Sequence, residues 1–263
     1  SQGSIKKFRN PVVAIGVFDG IHRGHQKLIK RVIDEARKIN GTSVVLTFFP
    51  HPVQVLNKKF DLSLLVSLEH RLRIIESLGV DVCMVIHFTK QFAKQKAEDF
   101  IKKYLVRRIG AKEVFIGQNF HFGKNRDGNS DVLKTIARKY KVNVNILRPV
   151  CYQNNIISSS CLRALIKEGN LLLAKKYLNR DVSILGQVVH GDGRGRCLEF
   201  PTANINPGRE ILLPSGVYIV EVILDGKIWR GMANIGRRPS FKKKSHKNIE
   251  AHIFPKKDRN NPG

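Results

Sequence analysis

Over the first 148 residues of the chain, two patterns of hydrophobic and polar positions follow one another repeatedly. Short apolar runs typical of buried strands, such as VVAIGVF at 12–18 and SVVLTF at 43–48, precede segments whose apolar residues recur every three or four positions. The segment 25–39 shows this recurrence most clearly, because its apolar residues fall on one stripe of a helix. The repeated strand and helix patterns predict an α/β fold with a parallel sheet covered by helices.

The same rhythm continues along this part of the chain. Further strands are predicted in VDVCMVIHF at 80–88, AKEVFIG at 111–117 and VNVNILRP at 142–149, and further helices near 68–78, 97–109 and 129–140. Ligands of such sheets bind beyond the carboxyl ends of the strands. The loops after Val17, Thr47 and Gly117 are therefore predicted to line one cleft.

The pattern changes after Pro149. Two short helices are predicted near 160–168 and 171–178, and β-rich segments follow them. In GVYIVEVILDGKIWRGMANIG at 216–236, an Asp-Gly turn is predicted to join two strands. We therefore predict a domain boundary near residue 181, with an α/β domain at 1–181 and a small β-barrel at 182–263.

Composition excludes several classes of protein. Hydrophobic residues make up 42% of the chain, yet no apolar run approaches the ~18 residues of a membrane-spanning helix. The first residues, SQGSIKKFRN, lack the apolar core of a secretory signal, so we expect a cytoplasmic protein without a membrane partner. The four cysteines are widely spaced and lack the spacing of zinc ligands, which indicates idle thiols.

The charge is strongly positive. The chain has 47 Lys and Arg against 21 Asp and Glu, a net charge of +26 that attracts anions such as nucleotides or RNA. The positive residues are spread through nearly every segment, and an aromatic RNP-type strand and a KH-type GxxG are missing. We predict no nucleic-acid partner, although a basic RNA-binding protein stays open as the alternative.

The stretch AIGVFDGIHRGHQKLI at 14–29 carries the first candidate chemistry. A strand, a turn with Gly16 and Gly20, and the start of a helix follow one another, and a helix N-terminus suits a triphosphate. His22 and His25 are three positions apart and so share one helix face, from which both imidazoles can reach one phosphate. This arrangement fits charge stabilisation in nucleotidyl transfer. Two surface histidines at a helix start are the alternative.

GVFDGIHRGH resembles the GxFDGxHxGH signature of the nucleotidyltransferase superfamily. LTFFPHP at 46–52, GQNFHFGKNRDG at 117–128 and ISSSCLR at 157–163 resemble motifs of prokaryotic FAD synthetases, which are bifunctional riboflavin kinase and FMN adenylyltransferase enzymes. GQVVHGDGRGRCLEFPTANI at 186–205 and GMANIGRRPSF at 231–241 are similar to their kinase module. The resemblance implies a Rossmann-like nucleotidyltransferase domain followed by a riboflavin kinase barrel. It implies AMP transfer from ATP to FMN and phosphorylation of riboflavin, with Mg²⁺ held largely by phosphate oxygens.

The resemblance also implies residue roles in the first module. His22 and His25 would hold the ATP phosphates, while Arg163 would close over them from the opposite side. Phe120 or Phe122 would offer a face to the isoalloxazine ring, with burial of one of them in the core as the alternative. The other expected ATP or flavin contacts are Gly16, Phe18, Asp19, Gly20, Asn119, Ser159 and Ser160, and His51 is expected to shape the cleft.

In the second module, Thr202 and Asn204 of the family's PTAN motif would hold Mg²⁺ and ATP phosphates. Glu250 would take the proton from the ribityl hydroxyl of riboflavin. Gly191, Gly195 and Arg196 would form a loop that approaches phosphates, although a simple turn is an equal alternative.

Two departures from the family pattern concern this second module. Glu199 stands where the family usually has Gly and adds a negative charge beside the proposed phosphate site. After EAHIF the chain reads PKKDRNNPG where the family continues with a further strand and helix, so we predict a truncated kinase module of reduced activity. A nucleotidyltransferase with another acceptor, such as phosphopantetheine, a nucleotide monophosphate or an aminoacyl group, stays open as a second enzyme reading.

Overall fold

The structure is a computed structural model that describes residues 8–57, 59–60, 62–190, 201–211, 213–237 and 247–254. The described α-helices are α1 (Arg23–Lys38), α2 (Pro52–Leu56), α3 (Leu68–Ser77), α4 (Ala97–Phe100), α5 (Ser130–Lys139), α6 (Ser159–Glu168) and α7 (Leu171–Leu178), and short 3-10 helices lie at Phe92–Lys94 and Lys124–Arg126. The described strands are β1 (Val12–Ile15), β2 (Ser43–Phe49), β3 (Val82–His87), β4 (Glu113–Gly117), β5 (Asn143–Leu147), β6 (Cys151–Tyr152), β7 (Asn155–Ile156), β8 (Gln187–Val189), β9 (Ala203–Asn206), β10 (Gly216–Leu224), β11 (Lys227–Arg237) and β12 (Lys247–Ile253). Among the described helices, none combines the length and apolar character needed to cross a membrane.

The first sheet has the strand order β3-β2-β1-β4-β5, and all its pairs are parallel. The central strand β1 pairs with β2 through Val12 and Ser43 and with β4 through Val12 and Glu113. Strand order reverses direction at β1, which is the position where such sheets bind ligands beyond the carboxyl ends. The predicted parallel sheet is confirmed.

Helices cover both faces of this sheet. On one face, Val12 and Ala14 of β1 pack against Ile29 of α1, as the apolar stripe of that helix predicts. On the other face, Val13 of β1 packs in a second cluster with Leu133 of α5. Strand β1 is buried from both sides, so its carboxyl end delivers the loop to α1 at a fixed position.

The last five described strands form an antiparallel sheet in the order β10-β11-β12-β9-β8. The predicted turn joins β10 and β11 at Asp225 and Gly226, whose φ angles are +48° and +74°. Two positive φ angles fit a two-residue hairpin loop, and they favour the Asp-Gly pair found here. The prediction of a β module after the α/β part is confirmed, and its described strands form a five-stranded antiparallel sheet.

Helices α6 and α7 pack against this second sheet. Leu162 and Tyr177 share an apolar cluster with Ala233 and Ile235 of β11. A buried polar contact lies nearby, where the Glu210 carboxylate meets His70 Nδ1 at 3.1 Å and accepts the Ser67 amide at 2.7 Å. Burial raises the pKa of Glu210, but hydrogen bonds from His70 and Ser67 outweigh it and leave the pKa lowered. The boundary near residue 181 falls between α7 and β8 and stays a prediction.

Three local features were not predicted. Helix α2 has five residues, too few for a periodic pattern, and the short β6–β7 hairpin has the same limitation. The predicted helix near 97–109 is helical, but from Ile101–Ile109 it continues as a π-helix that ends at Gly110 with φ +71°. Apolar periodicity does not distinguish these helix types over so short a segment.

Candidate active site

The loop between β1 and α1 has an unusual backbone. Phe18, Gly20 and Ile21 have φ angles of +54°, +81° and +39°. Glycine adopts this left-handed region at little cost, whereas a β-branched residue such as Ile21 is strained there. A Cβ on Gly16 would lie 3.0 Å from the Phe18 ring, so the lack of a side chain lets that ring pack over the strand end.

The loop brings the two candidate histidines together. His22 is the residue that precedes the first turn of α1, with extended backbone angles of φ −71° and ψ 173°. Its ring stacks on the ring of His25, with 3.7 Å between the ring centroids and 20° between the planes. The predicted placement of both imidazoles at one helix start is thus observed.

Both histidines are neutral at neutral pH in the free protein. Burial and the nearby Arg180 charge lower the pKa of His22 to about 4. Burial, His22 and Arg71 lower the pKa of His25 well below its usual value. The Nδ1 atoms of both rings are buried and have no hydrogen-bond partner among the described residues. Buried polar atoms of this kind point to a ligand as their partner.

Asp19 anchors the middle of the loop. Its Oδ1 accepts the amides of Leu65 and Val66 at 3.0 and 3.3 Å, and its Oδ2 forms an ion pair with Arg163. Burial raises the pKa of Asp19 more than the charges of Arg163 and Arg71 lower it, so the net direction is upward.

The start of α6 lies against the same loop. Ser159 Oγ donates to the Asp19 carbonyl at 2.8 Å, and Arg163 Nε donates to the Ser63 carbonyl at 3.0 Å. Ser160 is exposed at the first turn of α6. The structure therefore brings Ser159 and Arg163 to the loop between β1 and α1 at 16–22, called the histidine loop below. Their predicted contacts with phosphate stay predictions.

A buried arginine that the sequence analysis missed lies at the carboxyl ends of β1 and β2. Arg71 is 0% exposed, and its Nη1 donates to the Phe48 carbonyl at 3.1 Å and to Thr47 Oγ1 at 3.3 Å. Thr47 in turn donates to the Val17 carbonyl at 3.0 Å. Within the described part of the chain, Arg71 Nε and Nη2 have no partner. A sequence signal existed, because Arg71 begins the stripe that continues with Ile74, Ile75 and Leu78.

A second missed arginine, Arg180, follows α7. Its Nη2 donates to the Gly20 carbonyl at 2.8 Å, and its Nη1 donates to the carbonyls of Ile21 and Leu178 at 3.2 and 3.4 Å. Burial lowers its pKa to about 10, so the guanidinium stays charged at neutral pH. No periodic pattern marks Arg180, because its partners are backbone carbonyls, and two of them, those of Gly20 and Ile21, are far away in the sequence.

His51 caps the short helix α2. Its Nδ1 accepts the Val53 amide at 3.2 Å. Burial first, and then the charges of Arg163 and Arg71, lower the pKa of His51 to about 4. The same two arginines thus act on Asp19 and on His51, which places both residues beside one positive cluster.

The two phenylalanines of the 117–128 loop differ in exposure. Phe122 is 8% exposed and packs on Phe100, with 5.4 Å between the ring centroids. Phe120 is half-buried and stacks on Phe122 at 5.4 Å with 16° between the planes. Phe122 is therefore a core residue, and Phe120 is the one that retains an accessible face. Asn119 is exposed beside it.

In the second sheet, Asn204 of β9 pairs directly with Glu250 of β12. Asn248 Nδ2 donates to Asn204 Oδ1 and to Glu250 Oε1, both at 3.0 Å. Thr202 is exposed just before β9. The structure brings Asn204 and Glu250 together, whereas three other predicted site residues, Gly191, Gly195 and Arg196, lie outside the described residues, as does Glu199.

The described residues contain no group of three or more His, Cys, Asp and Glu side chains able to hold a metal ion. The described cysteines Cys83, Cys151 and Cys161 are free. The arrangement at the first site is instead cationic, with arginines and neutral imidazoles around a buried loop. Such a site can bind phosphate groups through charge and N–H donors.

Comparison with known proteins gives a consistent result. The family model of FAD synthetase matches residues 4–161, and that of riboflavin kinase matches residues 178–261. A bifunctional riboflavin kinase/FMN adenylyltransferase of Buchnera aphidicola subsp. Schizaphis graminum is 38% identical over 255 residues, which cover 95% of this chain and 82% of the relative. The protein of that name from Escherichia coli strain K12 is 36% identical over 230 residues, which cover 87% of this chain and 74% of the relative.

A solved structure is also similar over nearly the whole chain. A crystal structure described as a macrolide-efflux protein from Streptococcus pneumoniae matches with a TM-score of 0.83 and 32% sequence identity. The match covers 96% of this chain and 82% of that chain. Because both family models match in order and the named relatives span most of the sequence, the chain belongs to the family of bifunctional riboflavin kinase/FMN adenylyltransferases.

Proposed function

We propose that the first module transfers AMP from ATP to FMN, giving FAD and pyrophosphate, and that the second module phosphorylates riboflavin to FMN. The observation that carries the first activity is the stacked pair of His22 and His25 at the start of α1, next to the Asp19–Arg163 ion pair. Buried ring nitrogens without partners among the described residues, at a helix N-terminus, favour a phosphate ligand.

Adenylyl transfer needs no protein nucleophile. An oxygen of the FMN phosphate attacks the α-phosphorus of ATP, a new P–O bond forms, and the bond to the bridging oxygen breaks as pyrophosphate leaves. The site therefore acts by positioning the reactants and by stabilising the developing negative charge. Neutral His22 and His25 are hydrogen-bond donors for the phosphates, and binding of that negative charge favours their protonation.

Arg163 is the proposed partner of the phosphates from α6. In the free protein its guanidinium is paired with Asp19, and its Nε is held by the Ser63 carbonyl. The planar fork suits two phosphate oxygens at once. Ser159 is held to the Asp19 carbonyl and fixes the start of α6 beside the loop, and exposed Ser160 adds a hydroxyl at the helix N-terminus.

For the flavin, we propose Phe120 as the surface on which the isoalloxazine ring stacks. Phe122 supports Phe120 from behind, because its own ring is buried between Phe100 and Phe120. The exposed side chain of Asn119 supplies a hydrogen-bonding group at the same position. His51 borders the cleft from the carboxyl end of β2, where its cap on α2 fixes it.

In the second module, Glu250 is the proposed base that takes the proton from the ribityl hydroxyl of riboflavin. Magnesium enters as part of the MgATP substrate. The oxygen atoms of Thr202 and Asn204 are of the kind that Mg²⁺ prefers, so these residues would hold it together with the phosphates. The cytoplasmic location and the lack of a nucleic-acid partner stay predictions.

One experiment tests both activities. The purified protein is incubated with MgATP and either riboflavin or FMN, and the flavins are separated by chromatography. FAD formed from FMN supports the first activity, and FMN formed from riboflavin supports the second. No FAD from FMN refutes the first assignment, and FMN formation at ordinary enzymatic rates refutes the prediction of a weakened kinase module.

A pair of variants ties the first activity to the proposed site. His25→Ala is expected to abolish FAD formation from FMN while leaving any FMN formation unchanged, because the two ATP sites are separate. His87→Ala is the matched control, since His87 is exposed at the end of β3. Equal activity of both variants would remove His25 from its role.

A further inference from the structure

Ile21 is a strained residue of the histidine loop, next to His22. Its side chain is 0% exposed and its φ is +39°, in the region that β-branched residues avoid. Such strain costs about 1–3 kcal/mol and persists only where the surrounding structure holds the backbone. The groups that hold Ile21 therefore determine the geometry of the loop that precedes His22.

Arg180 contacts the backbone on both sides of Ile21. Its Nη2 donates to the Gly20 carbonyl at 2.8 Å, and its Nη1 donates to the Ile21 carbonyl at 3.2 Å. These carbonyls belong to the peptide groups before and after the Ile21 Cα. One planar guanidinium thus fixes both peptide groups, and with them both backbone dihedral angles of Ile21.

The orientation of His22 follows from this contact. In a trans peptide group the carbonyl and the N–H point in opposite directions. Carbonyls of Gly20 and Ile21 that face Arg180 therefore direct the amides of Ile21 and His22 to the other side of the loop. His22 begins α1 and stacks on His25, so a rotation of this peptide group moves the imidazole that is proposed to meet phosphate.

Gln26 makes a second contact with the same carbonyl. Its Nε2 donates to the Ile21 carbonyl at 2.9 Å and to the Leu178 carbonyl at 2.7 Å. Arg180 Nη1 also donates to the Leu178 carbonyl, at 3.4 Å. The two side chains therefore share two acceptors, one in the histidine loop and one at the end of α7.

We propose that Arg180 is a positioning residue for adenylyl transfer, which fixes the peptide groups around Ile21 and thereby the place of His22. The proposal rests on the proposed function of the first module. Arg180 lies two residues after the end of α7, where the chain leaves toward β8. The last residues of the predicted first domain are thus part of the structure that builds the first site.

The test measures FAD formation from FMN and MgATP by Arg180→Gln, Arg180→Lys and a control, Lys176→Gln. Lys176 is exposed on α7, so its variant removes the same charge without touching the loop. For Arg180→Gln we expect kcat to fall about 10- to 100-fold, since a small displacement of a phosphate-binding group has effects of this size. The KM for FMN is expected to stay within about twofold, because the flavin surface is elsewhere.

Arg180→Lys separates charge from geometry. Its ammonium keeps the charge but lacks the planar fork that reaches two consecutive carbonyls, so we expect only partial recovery of kcat. Full recovery would overturn the proposal. If Arg180→Gln does not fold, Arg180→Lys still tests the proposal, because a kcat equal to that of the parent protein in Arg180→Lys would overturn the proposal.

Combining Arg180→Gln with Gln26→Leu tests the shared carbonyl. If both residues act through Ile21, the double variant loses less kcat than the product of the two single losses. Losses that multiply, or a lowered melting temperature with normal kcat in Arg180→Gln, would show that Arg180 does not position the loop. A parent protein that forms no FAD would instead refute the proposed function, so the two failures are distinguishable.

Discussion

The buried His22 predicts a loss of stability in acid that can be measured directly. His22 is 7% exposed, and the pKa of its imidazole is about 4 instead of 6.5. Between these two pH values the unfolded chain binds a proton that the folded protein excludes. The contribution of neutral His22 to the free energy of unfolding is therefore fully present above pH 6.5. It is lost progressively as the pH falls toward 4.

The size of this loss follows from the pKa shift. One pKa unit corresponds to about 1.4 kcal/mol, so the shift of His22 corresponds to about 3 kcal/mol in full. At pH 5 about 2 kcal/mol of it has been lost. The variant His22→Gln keeps a polar side chain but does not titrate, so it should lack this component.

The assay is urea unfolding of the parent, His22→Gln and the exposed control His87→Gln, each at pH 7.5 and at pH 5.0. The parent and His87→Gln should lose about 2 kcal/mol more than His22→Gln between the two pH values. His51 is common to all three proteins, whereas His22 is one of the causes that lower the pKa of His25, so the difference reports His22 together with the change it makes at His25. Equal losses in the parent and His22→Gln would refute a buried, neutral His22.

Three further predictions concern the surroundings of the site. Arg163→Met leaves the buried Asp19 carboxylate without its ion-pair partner, so it should lower the free energy of unfolding by about 3 kcal/mol at pH 7, measured in urea. Adding Asp19→Asn to Arg163→Met should restore part of this free energy. Phe120→Leu should raise the KM for FMN with little change in melting temperature, whereas Phe122→Leu should lower the melting temperature. Gly128→Ala places a Cβ 2.8 Å from the Phe122 ring and should cost about 1–3 kcal/mol by overpacking, visible as a lower urea midpoint.

The elements that the sequence predicts well are those whose signal is local. The stripe of apolar residues in α1 and the continuous apolar run of β1 each reflect burial of their own segment. The Asp-Gly turn between β10 and β11 is local as well, because the two residues adopt the required positive φ angles themselves. The order of strands in the sheet depends on contacts between distant segments, and no residue pattern specifies it alone.

The residues of the candidate site also differ in whether a local sequence pattern predicts them. His22 and His25 are recognisable because their spacing fixes them on one helix start, and the stacked rings follow from it. Arg71 could have been found as an arginine within an apolar stripe. Arg180 could not, since its partners Gly20 and Ile21 are backbone carbonyls about 160 positions away, and a backbone acceptor leaves no trace in residue identity.

The contacts of the histidine loop extend beyond the residues that the FAD synthetase family model matches. The FAD synthetase family model stops at residue 161, yet the carbonyls of Gly20 and Ile21 are held by Arg180. Gln26 Nε2 donates to the Leu178 carbonyl at 2.7 Å and so links the start of α1 to the end of α7. Without the segment after α6, the backbone of Ile21 would still be strained, but it would lose the hydrogen bonds that compensate for the free energy of this strain. The proposed role of Arg180 therefore assigns α7 and the two residues after it to the proposed adenylyl transfer site.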